Sequence, residues 1–251
     1  MDEFETVAVE ACEAAGDYLV AEFERAETTA EYGPRDVKAE ADRGAEDRAL
    51  DVIAGAFPDH AVYAEERGER PGDAAYRWVL DPLDGTNNFC SGIPYFGTAV
   101  ALLHEGDPVL GVVHDPLHDD TYVARRGEGA THDGTPASAR SDVELDRGTV
   151  AFVVGLDAIE DDDLRARSEE LEHSLAGQCK RVWESWAPAL DWGLLARGDV
   201  EAVVAFHPDA IEQHAGWLLA EESDASTASQ GELYVAAGDD ATLAGLRDAL
   251  F

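Results

Sequence analysis

Trp78-Val79-Leu80-Asp81-Pro82-Leu83-Asp84-Gly85-Thr86-Asn87-Asn88-Phe89 is the stretch that decides how this chain is read. An apolar strand runs directly into two carboxylates, Asp81 and Asp84, with Pro82 and Leu83 between them and Gly85-Thr86 behind. Pro82 stiffens the turn, and Gly85 admits a close backbone approach or a dihedral that other residues avoid. A helix starting at Gly85-Thr86 would turn its free N–H groups outward beside the carboxylates, setting an anion site next to a hard-cation site. Asp81 and Asp84 can each hold Mg²⁺, with the Leu83 carbonyl as a further oxygen ligand and a phosphate bridging metal and helix. Upstream, Glu65-Glu66 follows the apolar run at 61–64 and offers another carboxylate to the same cluster. A lone Asp-Pro or Glu-Glu in so acidic a chain is ordinarily a solvated turn; the whole stretch from Trp78 to Phe89 is what sets these carboxylates apart.

Outward from this point, hydrophobic periodicity assigns the elements. Phe4, Val7, Ala11, Leu19 and Phe23 recur near helical spacing and predict a helix over 2–27. The pattern stops at a polar stretch ending in Gly33-Pro34, a breaker pair. A second helix is predicted over 40–57, with Ala49, Leu50 and Ile53 inward and Pro58 behind it. Strands are expected at 61–64 and 76–80. FGTAVALL, PVLGVVHD and TYVARR then read as an antiparallel meander. The Gly-, Ser-, Asp- and Thr-rich run 127–148 suggests a boundary between an N-terminal lobe, 1–140, and a C-terminal lobe, 141–251. Beyond it come a strand at 149–154, a helix at 160–176, a strand or buried segment near 179–183 and a helix ending near Gly198. A strand VEAVVAFH, a helix over 211–222, the strand ELYVAA and a short last helix complete the chain. Helices and strands mix in both halves, so the class is α/β, in layers.

The chain has 251 residues, 45% of them hydrophobic, enough for a large core without disulfides or structural metals. Acidic residues number 54 against 18 basic ones, a formal net charge of −36, and only Lys38 and Lys180 are lysines. Such a surface repels nucleic acid and anionic membrane faces. Charges at this density also repel one another at physiological salt, where screening extends about 8 Å; near 1 M the length is about 3 Å. The carboxylates are spread along the chain rather than gathered in one tail, so the acidity reads as adaptation to a very salty, halophilic interior. Cys12, Cys90 and Cys179 are odd in number and far apart, which points to a reducing compartment and away from structural zinc. The first residues are acidic where a signal peptide is basic, and no apolar run approaches the ~20 residues of a membrane span. A cytoplasmic protein is the expectation.

The segment DPLDGTNNF resembles the signature of the inositol monophosphatase family, which includes fructose-bisphosphatases and nucleotide-bisphosphate phosphatases. GPRDVKAEADRGAED resembles the family's Asp-x-Val-Thr-x-x-Asp-x-x-x-Glu segment, AEER its Gly-Glu-Glu, and ARRGEGATHDG a strand-turn after the meander. The likeness covers most of residues 1–135 and is thinner beyond. It implies an αβαβα sandwich, a homodimer, and hydrolysis of a small phosphomonoester, an inositol monophosphate or a sugar phosphate such as fructose 1,6-bisphosphate. A 3′(2′),5′-bisphosphate nucleotidase and a catalytically weakened, metal-binding regulatory relative are the alternatives. By position, Glu65, Asp81, the Leu83 carbonyl and Asp84 would bind two or three Mg²⁺ ions, and Gly85 and Thr86 would contact phosphate. Asp42 would pair with Thr86 to orient the attacking water, which ions about 4 Å apart would activate for in-line attack.

The second signature departs from the family pattern. Trp-Asp-x-Ala-Ala-Gly is replaced by Ile211-Glu212-Gln213-His214-Ala215-Gly216, so Glu212 falls where a metal-binding aspartate closes the substrate side of the pocket. His214 replaces an alanine, either as a further ligand or base or as a histidine on a packed helix. Gly-Ser-Ala-Ala-Leu-Asp becomes Trp186-Ala187-Pro188-Ala189-Leu190-Asp191, which alters the substrate-side loop and keeps Asp191; Trp186 either closes the pocket or fills core, and core is the expectation. Lys38 and Ala39 stand where the family has apolar and threonine residues, which removes one hydroxyl near the outer metal.

Overall fold

A computed structural model describes residues 1–25, 30–32 and 37–251, with the backbone alone for 30–32, 37–39, 73, 74 and 212. The Gly33-Pro34 breaker pair therefore lies outside the described residues, as do the side chains of Lys38 and Ala39. In chain order the first half comprises α1 (Asp2–Arg25), β1 (Ala30–Tyr32), β2 (Val37–Ala39), α2 (Glu40–Ala56), β3 (His60–Ala64), β4 (Gly68–Arg70) and β5 (Asp73–Asp84). Then come α3 (Thr86–Cys90), β6 (Gly97–His104), β7 (Asp107–Asp115), β8 (Asp120–Arg125), β9 (Gly129–His132) and β10 (Thr135–Pro136). The second half is β11 (Thr149–Val154), α4 (Leu156–Glu160), α5 (Asp162–Ala176), β12 (Arg181–Trp183), α6 (Pro188–Ala196), β13 (Ala202–Phe206), α7 (Ala210–Glu222), β14 (Ser226–Gln230), β15 (Leu233–Ala237) and α8 (Asp240–Leu250).

Two sheets carry the fold. The first runs β10-β9-β8-β7-β6-β5-β3-β4 and the second β12-β11-β13-β15-β14. On one face of the first sheet lie α1 and α2, whose small buried residues Ala8, Ala11, Ala15, Ala41, Ala45 and Ala49 let the helices pack closely over Trp78, Leu80 and Val100. Its other face, with Val79, Ala99, Ala101 and Val113, meets Ala189 and Leu190 of α6 and Ala215, Leu218 and Leu219 of α7. Alternation along β11 then divides the second sheet: Ala151 and Val153 join Trp192 and Ala220 of α6 and α7, while Val150 and Phe152 join Leu171, Leu175, Leu243 and Leu246 of α5 and α8. The layers are α, β, α, β, α, as the family resemblance implies.

The predicted helices and the meander stand within a few residues of their expected places. Three differences have local causes. The expected helix at 160–176 stands as α5, and a short helix that the sequence did not announce, α4, precedes it; Asp161 separates the two by accepting the amides of Asp163 and Leu164. The first sheet continues past Gly127 through β9 and β10, since the Gly-rich run there makes a hairpin rather than a connection. β4 and β14 are short and largely solvent-facing at the sheet edges, so neither carries the apolar signal of a strand. Division into lobes at 140/141 is compatible with this arrangement but remains a proposal, because α6 and α7 serve both sheets.

Candidate active site

β3 and β5 are parallel neighbours, Ala64 opposite Leu80, so their ends deliver Glu65 and Asp81 side by side; the Glu65 amide donates to the Leu80 carbonyl at 3.3 Å. Along β5 the pleat would turn residues three apart to opposite faces. Against β6, however, Asp81 faces Ala99 and Asp84 faces Gly97, so one extra residue bulges at Pro82-Leu83. Pro82 has no N–H to give the ladder, and the bulge brings both aspartates to one side. The Leu83 amide donates to Asp81 Oδ1 at 3.1 Å, which fixes the turn. Asp81 and Asp84 are buried, and both line the same cleft as Glu65.

The chain then turns through Gly85 at φ 93°, where an added Cβ would lie 3.0 Å from Ala187 Cβ and 3.1 Å from the Tyr95 carbonyl. The helix that follows, α3, starts at Thr86, where the sequence suggested a helix start, and is a single turn of five residues. The Thr86 hydroxyl lies 3.2 Å from Asp42 Oδ1 and 3.1 Å from the Leu83 carbonyl. Asp42 is itself buried on α2 and approaches the cleft through this hydroxyl. Asp84 Oδ2 accepts the amide of Ala189 in the first turn of α6, tying the carboxylate cluster to the second half of the chain at 2.9 Å.

Burial, and then the negative charges of Asp81 and Asp42, raise the Glu65 carboxyl above the ordinary range. Its surface is reached from the open cleft, so like-charge crowding gives that direction even where burial is incomplete. Behind it, Glu46 on α2 accepts the Glu66 amide at 2.8 Å and holds the turn that presents Glu65.

Sequence reasoning missed a set of residues that joins the halves of the cleft. Asn88 donates to the carbonyls of Tyr95 and Ser185, each at 2.8 Å. Asp191, 1% exposed, accepts from Ser185 Oγ at 2.6 Å and from Tyr95 OH at 3.0 Å. Its carboxyl is pushed up to about 7 by burial, which outweighs those two hydrogen bonds. Nothing local in the sequence marks these partners, which lie about a hundred residues apart.

The cleft, about 120 Å³ in volume, is also lined by β11, α4 and the Glu184–Pro188 segment. Trp186 lines it too, but with 45% of its surface exposed and φ at 62° it does not fill core as expected. His214 is half-buried on α7 and absent from the cleft lining, where burial lowers its pKa; it behaves as a packed helix residue. Glu212 is placed on α7, but its side chain lies outside the described residues.

An αβαβα sandwich with carboxylates and a backbone carbonyl gathered at the ends of β3 and β5 is the frame of a hard-metal phosphatase. The chain belongs to the inositol monophosphatase family, whose sequence profile matches residues 1–239. It is 32% identical over 224 residues to the Nus factor SuhB of Pseudomonas aeruginosa, covering 86% of this chain and 82% of that one. To the histidinol-phosphatase of Chlorobaculum parvum it is 40% identical over 113 residues, 45% of this chain and 44% of that one. The structure of inositol monophosphatase from Anabaena (Nostoc) superposes with a TM-score of 0.82 at 28% identity, covering 98% of this chain and 94% of that one.

Proposed function

We propose that this chain is a Mg²⁺-dependent phosphomonoesterase that releases a small alcohol from a monophosphate. The observation that carries the reading is the convergence of Glu65, Asp81, Asp84 and the Leu83 carbonyl beside the Thr86–Asp42 pair. Every donor offered is oxygen, with no cysteine or histidine among the lining residues, the donor set of a hard cation. Three carboxylates this crowded resist ionising together, which a divalent cation relieves. Mg²⁺ bound there would supply Lewis-acid charge and lower the pKa of water.

The chain's own residues do the rest. Asp42 takes the proton of the Thr86 hydroxyl in a hydrogen bond, leaving the Thr86 lone pairs to accept from the attacking water and aim it in line. Gly85, with no Cβ, lets the phosphate approach the backbone at Gly85-Thr86. Asn88 and Asp191 hold the Ser185–Pro188 wall at its distance from the carboxylates. Glu212 is proposed as a second-metal ligand on α7, and cytoplasmic residence and a homodimer are proposed with it.

Among the described residues no lysine or arginine lines the cleft, so a second phosphate would meet carboxylates with no compensating positive charge. Monophosphates are therefore favoured over fructose 1,6-bisphosphate and nucleotide bisphosphates. The names of relatives, a histidinol-phosphatase and an inositol monophosphatase, support one phosphate chemistry with varied alcohols. A regulatory role has one support, the relative named as a Nus factor; a net charge of −36 opposes nucleic-acid contact. Phosphate release in multimolar KCl with and without Mg²⁺, from inositol 1-phosphate, fructose 1,6-bisphosphate and 3′-phosphoadenosine 5′-phosphate, tests the reading. Mg²⁺-dependent turnover abolished in Asp84→Asn supports it; a folded, Mg²⁺-binding protein inert on all phosphomonoesters sinks it.

A further inference from the structure

We propose that the alcohol released carries a cationic nitrogen, held by the Glu184 carboxylate and the indole face of Trp186; the inference rests on the phosphatase reading above. The cleft lining has two unlike parts. One is the oxygen cluster around Asp81 and Asp84, and the other is an apolar wall of Val153, Val154, Leu156, Ile159 and Pro188. Hydroxyls of a polyol turned toward that wall would lose water without gaining partners. A short carbon chain fits it.

Two further carboxylates, Asp191 and Glu184, line the cleft. Asp191 spends its oxygens on Ser185 and Tyr95. Glu184 is solvent-exposed on the cleft wall, and among the described residues no lysine, arginine or histidine pairs with it. Partial burial first, and then the like charge of Glu172, raise its carboxyl. A bound ammonium or imidazolium relieves that situation, whereas an anionic leaving group would worsen it.

Trp186 supplies the second observation. It stands where the family pattern has glycine, and it keeps the left-handed backbone that suits glycine, φ 62°. A large aromatic residue in that conformation is strained, and such strain clusters where a side chain serves a ligand. The indole is 45% exposed and lines the cleft, so its packing does not account for it. Tryptophan is the strongest cation–π partner among the side chains. Glu184 and Trp186, two residues apart on one wall, thus present a negative charge and a π face to the same space.

The test is a matched pair, aminopropyl phosphate and propyl phosphate, hydrolysed by the Mg²⁺-loaded protein at one fixed KCl concentration. We expect kcat/KM to favour the amino ester by roughly tenfold, the size of a partly desolvated cation–π contact with an ion pair. Glu184→Gln is expected to draw that ratio toward one. Trp186→Gly should lower the ratio as well, while the thermal midpoint holds or rises, because glycine relieves the strained backbone. Equal kcat/KM for the two esters in the unsubstituted protein overturns the proposal. So does a ratio indifferent to both substitutions, or a Trp186→Gly protein that keeps the ratio and loses stability. Hydrolysis of neither ester is a different failure, that of the phosphatase reading itself.

Discussion

Asp191→Asn is the perturbation whose size follows most directly from the structure. The wild-type carboxyl is 1% exposed and is pushed from 3.8 up to about 7 by burial. Below the unfolded value both states hold the proton, and the neutral carboxyl is accommodated at full stability. Between 3.8 and about 7 the unfolded chain releases the proton while the folded one keeps it, so stability falls as pH rises. Above the folded value both are ionised and the loss is complete. The interval corresponds to about 4 kcal/mol at 1.36 kcal/mol per tenfold change in proton affinity. Asparagine cannot ionise, so the variant lacks this slope. Replacing one carboxylate oxygen by an amide also alters the hydrogen bonds with Ser185 and Tyr95, at about 1–3 kcal/mol, but that offset is nearly constant with pH. Urea unfolding of both proteins, at fixed KCl and at several pH values across the interval, measures the difference of slopes. The variant should gain about 4 kcal/mol on the wild type from the acid to the alkaline end. Parallel curves would refute the reasoning, since they mean that Asp191 ionises at an ordinary pH and that water reaches the wall between Ser185 and Tyr95.

Other outcomes follow from single contacts. Gly85→Ala combines a left-handed φ with a Cβ 3.0 Å from Ala187 and should destabilise by about 2–3 kcal/mol, read as a lowered denaturation midpoint. Thr86→Val removes the hydroxyl between Asp42 and the cleft and should lower kcat on the order of 100-fold with a small change in stability, whereas Thr86→Ser should retain much of the rate. Asn88→Ala leaves the carbonyls of Tyr95 and Ser185 without their donor; about 1–3 kcal/mol of stability should go with it, and KM should rise as the Ser185–Pro188 wall loosens. With a net charge of −36, thermal stability and self-association should both increase from low to multimolar KCl; a sedimentation profile and midpoint indifferent to salt would contradict the halophilic reading.

The sequence by itself determined the elements whose periodicity reflects which side faces a core: α1, α2, the meander, β11 and α7. It also determined the chemistry of the site, because DPLDGTNNF puts its carboxylates, carbonyl and hydroxyl within a few residues of one another. The edge strands β4 and β14 were illegible, since solvent-facing backbone pairing leaves no apolar pattern, and the turn after the meander was read only through the family resemblance. The tertiary structure alone decided how the local pieces meet. A bulge at Pro82-Leu83 turns Asp81 and Asp84 to one side, parallel pairing of β3 with β5 sets Glu65 beside them, and a 3.2 Å contact joins Asp42 to Thr86 across 44 residues of chain. Trp186 gives the reverse case. A lone tryptophan in a sequence is usually core, because its large apolar surface favours burial; here a left-handed backbone at the mouth of the cleft holds the indole out toward solvent. Pairings between distant residues, and backbone conformations that oppose a residue's own preference, are set by the packing of the whole, so no local window of sequence contains them.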